Sequence, residues 1–359
     1  MTIATRSVPN VNIPLADDDH EQIVIRQDGE TGLRFIVAVH STVLGPALGG
    51  MRLKRYHGGL REALEDVMGL ARTMTLKASA AGLDLGGGKA VMIDDGGIEL
   101  REERLVAAAR VIDRLDGAYI TAEDIGTTTE DMDLIARHTR FAVGRSRSNG
   151  GGGDPSPVTA ETVFQAMARG LEAATGSEEF DGRRVGVIGL GKVGFALAGR
   201  LSEAGANVVG CDLNPDCCSR AAEAQGIEIA PSAEAILASE LDVLAPCAAG
   251  GLVDEALARA IDCRVVAGAA NNPLSDRSVA RTLMERDILY VPDFLANCGG
   301  LIHVSKEWYG ERGRTERELI AGAMERLDLA LETAEAERTP PIEVAERQAL
   351  ERVELARAR

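Results

Sequence analysis

The stretch RRVGVIGLGKVGFALAGRLSEAG, residues 183–205, constrains this chain more than any other. An apolar run of valine and isoleucine ends on Gly189-Leu190-Gly191-Lys192-Val193-Gly194, and an amphipathic run follows at once. β-Branched residues favour strand, glycines permit a tight turn, and apolar residues at helical spacing favour helix. A second apolar segment, residues 206–214, carries Asp212 at its end, roughly twenty residues beyond the turn. Strand, glycine turn, helix and a strand-terminal acid make a dinucleotide-binding unit. A pyrophosphate can approach the helix N-terminus, where free N–H groups and the helix dipole favour an anion. Gly189, Gly191, Lys192, Val193 and Gly194 would form that cradle. Asp212 would accept from the adenosine ribose hydroxyls, and its charge would repel a 2′-phosphate, which favours NAD over NADP. A plain glycine-rich loop would not need the strand, the helix and the acid in these places.

Further short apolar runs at residues 241–248, 264–270 and 288–294 are separated by polar helical stretches. This continues the strand–helix alternation and implies a parallel sheet. Ligands bind beyond the strand C-termini in such sheets. Ala245 and Cys247 in APCA, and Asn271 in AGAANN, are therefore candidates for contact with cofactor or substrate. For Asn271 and Asn272 a simple turn is the alternative.

The first half holds a different constellation. From Leu60 to Met74 apolar residues recur at helical spacing, and Lys77 lies near the end of that run. An alanine-rich turn is expected next, and then Gly86, Gly87 and Gly88 lead Lys89 into an apolar strand. Glycine at a strand start signals close backbone approach. A lysine head among apolar neighbours tends to lose its proton, and a neutral amine is a general base. A snorkelling lysine beside a tight turn is the alternative. Asp124 closes the strand at residues 118–124 before a glycine turn, where it is either a proton shuttle or a cap for the next helix, expected over residues 128–138.

Around these motifs, residues 1–20 read as a loose arm, and residues 23–28 and 33–42 as a hairpin. GPALGGMR (45–52) breaks the pattern with three glycines, and a helix is expected over 102–115. The glycine- and serine-rich run 144–157 is the clearest linker, followed by a helix from Ser156 or Thr159 to about residue 174. The tail from residue 315 is helical, interrupted at Pro340-Pro341. We expect a two-domain α/β chain: a first domain over 1–146, a Rossmann-type nucleotide domain over 147–334, and a C-terminal helix over about 335–359 returning to the first.

Bulk properties exclude several classes. A net charge of -17 argues against nucleic acid and anionic membrane surfaces. The N-terminus has no apolar signal region, so a cytoplasmic protein is expected. All six cysteines lie in the second half without CxxC or histidine spacing, so no metal site is expected and free thiols are. Cys247 and Cys298 lack a histidine partner for nucleophilic chemistry, and His303, in an apolar helix, reads as structural.

Taken together, GPALGGMR, MTLKASAAGLDLGGGKAV, YITAEDIGTTTEDMD, GLGKVG, APCA, AGAANN and PDFLANCGG resemble, in order, the blocks of the glutamate, leucine, phenylalanine and valine dehydrogenases. The resemblance spans about residues 23–352. It implies a substrate domain, a Rossmann NAD domain and an active-site cleft between them. It further implies that Lys77 binds the substrate carboxylate near Gly49 and Gly50, that Lys89 activates water, and that Asp124 relays protons to the substrate nitrogen. Thr159 and Asn271 would touch the nicotinamide end, and Leu48, Ala122, Leu301 and Val304 would line the side-chain pocket. All four are apolar, so a glutamate γ-carboxylate would go unpaired. Leu48 and Leu301 are larger than their counterparts in phenylalanine-type members, which points to leucine or valine. Met51 stands where many members have threonine, and the tail matches only loosely. The implied reaction is oxidative deamination of an L-amino acid to the 2-oxo acid, ammonia and NADH by a homo-oligomer. A phenylalanine dehydrogenase is the rival within the fold, and a catalytically silent NAD-binding regulator is the rival outside it.

Overall fold

The computed structural model describes residues 19–96, 100–248, 250–310 and 313–359; residues 1–18 of the expected arm lie outside them. Strands β1 (Gln22–Gln27) and β2 (Arg34–Ser41) form the expected antiparallel hairpin. GPALGGMR, whose glycines break the apolar pattern, brings backbone close to backbone within a strand. It forms β3 (Ala47–Lys54), an interior strand parallel to both β4 (Gly86–Ile93) and β5 (Tyr119–Glu123). Its glycines permit the close fit, since a Cβ on Gly49 would lie 1.7 Å from the Gly88 carbonyl oxygen. The sheet order is β1-β2-β4-β3-β5.

Helix α1 (Gly59–Ala80) covers one face, packing Ala63, Leu64, Val67 and Ala71 with Ile36, Ala38 and Val91. The end of α1 presents Lys77 as expected; alanines suit a helix interior, so the helix runs on through Ala80 in place of the expected alanine-rich turn. Helices α2 (Arg101–Asp113) and α3 (Thr129–Ala136) bury Leu105, Ile112, Met132 and Ile135 on the other face. Thr128 and Asp131 close a capping box at the start of α3, so Asp124 is not its cap.

The second sheet is parallel throughout: β6 (Arg184–Ile188), β7 (Asn207–Cys211), β8 (Glu228–Ile229), β9 (Val243–Pro246), β10 (Val265–Val266) and β11 (Leu289–Tyr290), in the order β11-β10-β9-β6-β7-β8. The order reverses between β6 and β9, which opens a crevice at their C-terminal ends. Helices α4 (Ser156–Thr175), α5 (Lys192–Glu203), α6 (Pro215–Gln225), α7 (Ala233–Leu237), α8 (Glu255–Ala260) and α9 (Val279–Glu285) complete this unit.

After β11 come α10 (Asp293–Ala296), α11 (Gly299–Tyr309), α12 (Glu316–Glu337) and α13 (Pro341–Arg357). Pro340 lies between the last two helices as the N-cap of α13, and Pro341 is its first residue. Helix α13 returns to α1, where the Ser79 hydroxyl donates to the Ala349 carbonyl at 2.7 Å and Arg352 reaches Asp84 at 2.8 Å. The glycine-rich linker is pinned rather than free: buried Glu307 of α11 accepts from the Gly152 N–H at 2.8 Å and pairs with Arg145 at 3.3 Å. No helix among the described residues is long and apolar enough to cross a membrane.

Candidate active site

Every residue of β4 is buried, so the strand carries Lys89 into the interior, 6% exposed. Its Nζ lies 2.7 Å from Oδ2 of Asp124, just past the end of β5. Lys77 projects from the last turn of α1, and its Nζ donates to Oδ1 of Asn271 at 3.4 Å. Asn271 follows β10, so this hydrogen bond joins the first sheet's helix to the second sheet's loop. Two lysines, one carboxylate and one amide therefore meet where the two halves of the chain face each other.

Burial dominates the protonation of both lysines and lowers each below an ordinary lysine's 10.5. Cys298, Asp293 and Asp124 work against that effect at Lys77, and Asp124 does so at Lys89, without reversing it. Burial works to raise the Asp124 carboxyl, but the charges of Lys89 and Arg52 outweigh it and hold the group below the usual carboxylate range. The result is a carboxylate that stays ionised beside an amine that gives up its proton easily.

Gly50 lies against Asp124: a Cβ there would be 2.7 Å from both the Asp124 Cβ and the Glu123 carbonyl oxygen. Leu48, Ala122, Leu301 and Val304 are all buried and belong to one continuous apolar cluster that joins the two halves of the chain. No charged residue stands among these four.

At the nucleotide end, Gly189 adopts φ of 104°, which favours glycine. A Cβ on Gly194 would lie 1.9 Å from the Gly189 carbonyl oxygen, so α5 packs directly onto the turn. A Cβ on Gly191 would meet nothing within 4 Å, and no side chain caps the α5 N-terminus. Lys192 is exposed and Val193 half-buried on its first turn. Asp212 follows β7 and accepts from the Leu190 N–H at 2.7 Å and the Asn214 N–H at 2.8 Å, which holds its carboxylate beside the turn. Open space, free helix N–H groups and an anchored acid fit a dinucleotide.

Thr159 stands on α4 against the start of α11, where a Cβ on Gly300 would come within 2.9 Å of its hydroxyl. Cys247 lies beneath the glycine turn, while Ala245 is 0% exposed inside β9. The six cysteines are free, and burial pushes the Cys247 thiol up to about 11 and that of Cys298 to about 12. Neither is a nucleophile at neutral pH. His303 bonds the Glu316 carboxylate through Nδ1 at 2.7 Å. Among the described residues no group of histidine, cysteine or acid is arranged to hold a metal ion.

Sequence reasoning did not single out Arg52, Asp66, Tyr56 or Asn297. Arg52 bridges Asp124 and Asp66, and Asn297 donates to the Asn271 side-chain oxygen at 3.1 Å. Strand alternation could have separated Arg52 from buried Met51, but no spacing connects residue 66 to residue 124.

A dinucleotide-type glycine turn on one α/β unit and two lysines on the other, one of them bonded to Asn271 across the units, fit an NAD-dependent dehydrogenase. Comparison with known proteins narrows the class. A family model described as the Glu/Leu/Phe/Val dehydrogenase dimerisation domain matches residues 9–141, and one for glutamate/leucine/phenylalanine/valine dehydrogenase matches residues 213–359. The NAD-binding domain model of D-isomer-specific 2-hydroxyacid dehydrogenases matches residues 160–248. The chain is 40% identical over 339 residues to a leucine dehydrogenase of Thermoactinomyces intermedius, covering 94% of this chain and 92% of that one. It is 43% identical over 312 residues to a valine dehydrogenase of Streptomyces virginiae, covering 86% and 87%. The crystal structure of an L-tryptophan dehydrogenase from Nostoc punctiforme superposes with a TM-score of 0.82 at 30% identity, covering 95% of this chain and 98% of that one. The chain belongs to the Glu/Leu/Phe/Val dehydrogenase family and is an amino-acid dehydrogenase.

Proposed function

We propose that this enzyme catalyses the reversible oxidative deamination of a branched-chain L-amino acid, leucine or valine, to the 2-oxo acid and ammonia. The observation that carries the reading is the buried Lys89–Asp124 pair at 2.7 Å; Leu48, Ala122, Leu301 and Val304, all buried in one apolar cluster, are the residues we assign to the side-chain pocket. The relatives named as leucine and valine dehydrogenases support the same substrate class. None of these four side chains could pair a glutamate γ-carboxylate, which would then carry a large desolvation penalty.

Gly189, Gly191, Lys192, Val193 and Gly194 would hold the NAD pyrophosphate and Asp212 its adenosine ribose, with Cys247 beneath the turn and Ala245 supporting it from inside β9. Bound there, NAD supplies the acceptor for the hydride from the substrate Cα. Thr159 and Asn271 orient the nicotinamide end. Lys77 pairs with the substrate α-carboxylate, with the Gly49 and Gly50 backbone alongside. Lys89, in its amine form, takes a proton from water as the water attacks the substrate iminium carbon. Asp124 passes protons to and from the substrate nitrogen, which leaves as ammonia. We assign the substrate unit to residues 1–146 with the helix at about 335–359, and the nucleotide unit to 147–334. The description of the first domain as a dimerisation domain supports a homo-oligomer acting on small molecules, which we place in the cytoplasm.

The test is NADH formation from NAD⁺ and a panel of L-amino acids at alkaline pH. Highest kcat/KM on leucine, valine or isoleucine is expected. Highest kcat/KM on phenylalanine would overturn the pocket reading but keep the mechanism. No turnover despite NAD binding would favour a silent regulator.

A further inference from the structure

Arg52 follows Gly49-Gly50-Met51 on β3, where alternation turns Met51 into the core and Arg52 toward α1. Its side chain is 13% exposed and does two things at once. Nε donates to Asp124 Oδ2 at 3.1 Å, the oxygen that Lys89 Nζ also reaches at 2.7 Å. Nη1 donates to both oxygens of Asp66 on α1, at 3.1 and 3.4 Å. Tyr56 then donates its hydroxyl to Asp66 Oδ2 at 2.5 Å. A planar guanidinium can hold two carboxylates along two edges in this way, whereas an ammonium cannot fix their relative orientation. Both cations converge on Oδ2, the Ile125 backbone N–H also bonds the carboxylate, and no side chain among the described residues donates to Asp124 Oδ1.

We propose that Arg52, clamped by Asp66 and Tyr56, is a positioning residue that turns Asp124 Oδ1 toward the substrate and sets the charge balance of the Lys89–Asp124 pair. The inference rests on the reading of Lys89 and Asp124 as the proton-handling groups. The cluster is balanced, with Lys89 and Arg52 against Asp124 and Asp66. Deleting either outer charge leaves the balance tilted, and the two deletions tilt it in opposite directions. Asp66 favours a protonated Lys89 and Arg52 opposes it. The other groups that face the pair are Lys77 from α1 and Tyr119 from β5, and Lys77 is itself faced by Asp293 at the start of α10 and Cys298 just before α11.

The experiment compares pH profiles of kcat/KM, with NAD⁺ and leucine, for the parent, Asp66→Asn, Arg52→Gln and Arg52→Lys. In parallel, the cofactor-free protein is titrated by the pH dependence of Lys89 acetylation, read by peptide mass spectrometry. Asp66→Asn is expected to move the acid limb, and the Lys89 titration, to lower pH. Arg52→Gln is expected to move both to higher pH. Each shift should be about one pH unit, about tenfold in rate at a fixed pH on that limb. Arg52→Lys should return the limb toward the parent while kcat stays low, because charge is restored without the two-edged grip. Parent-like limbs in both charge variants, or shifts in the same direction, would overturn the inference, since simple loosening of the fold has no reason to give opposite signs. Lys89→Ala separates the levels. If it retains the parent rate, the underlying mechanism fails. If it is inactive while the Arg52 and Asp66 variants titrate like the parent, only this inference fails.

Discussion

Replacing Leu301 by alanine removes three carbons from a side chain that is 6% exposed and packed in the same apolar cluster as Leu48, Ala122 and Val304. Three carbons are also what separates a benzyl side chain from the isobutyl of leucine. At about 0.8 kcal/mol per buried methylene, the matched volume is worth about 2.4 kcal/mol, roughly fiftyfold in kcat/KM. A hydrophobic pocket discriminates by about 10- to 200-fold for such differences, so the two figures agree. The phenylalanine-to-leucine ratio of kcat/KM should therefore rise by about that factor in Leu301→Ala. The assay is initial-rate NADH formation with each amino acid at saturating NAD⁺, run beside a urea unfolding curve. Loss of about 2–5 kcal/mol of stability is expected for truncating a buried leucine. A variant that loses stability while its substrate ratio stays at the parent value would show that Leu301 packs the core and does not line the pocket. That result would refute the size argument for a branched-chain substrate.

Asp124→Asn leaves Lys89 and Arg52 without their shared anion, and at neutral pH it should cost about 3–5 kcal/mol in urea unfolding. Lys89 has a folded pKa below an ordinary lysine's 10.5, so its charge destabilises the native state at low pH and the penalty fades as pH rises toward that value. The Asp124→Asn deficit should accordingly shrink in alkaline buffer, and equal deficits at both pH values would contradict the pairing. Gly194→Ala drives a Cβ to 1.9 Å from the Gly189 carbonyl oxygen. Lifting α5 off the turn costs about 1–3 kcal/mol, which should raise the NAD Kd roughly ten- to hundredfold by calorimetry; an unchanged Kd would remove the turn from the cofactor site. Glu307→Ala orphans the Gly152 N–H and leaves Arg145 bonded to the Asn149 and Gly150 carbonyls. It should lower stability by about 1–3 kcal/mol and speed tryptic cleavage of the linker, and parent-like proteolysis would show that Glu307 does not pin it.

The nucleotide unit was legible in the chain because its signals are local. Strand, turn, helix and Asp212 lie within one short stretch, and Gly189 and Gly194 are demanded by backbone geometry that a neighbouring residue imposes. The placement of Lys77 and Lys89 was legible for a similar reason, since a helix end and a glycine-led strand each fix a side chain's direction. β8 carries a glutamate and has no continuous apolar run around it, unlike the equally short β10 and β11, and GPALGGMR concealed an interior strand because glycine is depleted in strands unless a neighbouring backbone comes close.

Pairings that join distant segments were decided by tertiary structure alone. Nothing in spacing unites Arg52, Asp66 and Asp124, Lys77 with Asn271, or Glu307 with Gly152. Sequence period reports which face a side chain occupies, whereas the partner across that face depends on how helices and sheets stack. Chain order alone thus determined a dinucleotide turn and two strategically placed lysines. The packing of α1 and β3, and the approach of the two sheets, decided which charges those lysines meet and therefore how readily they give up a proton.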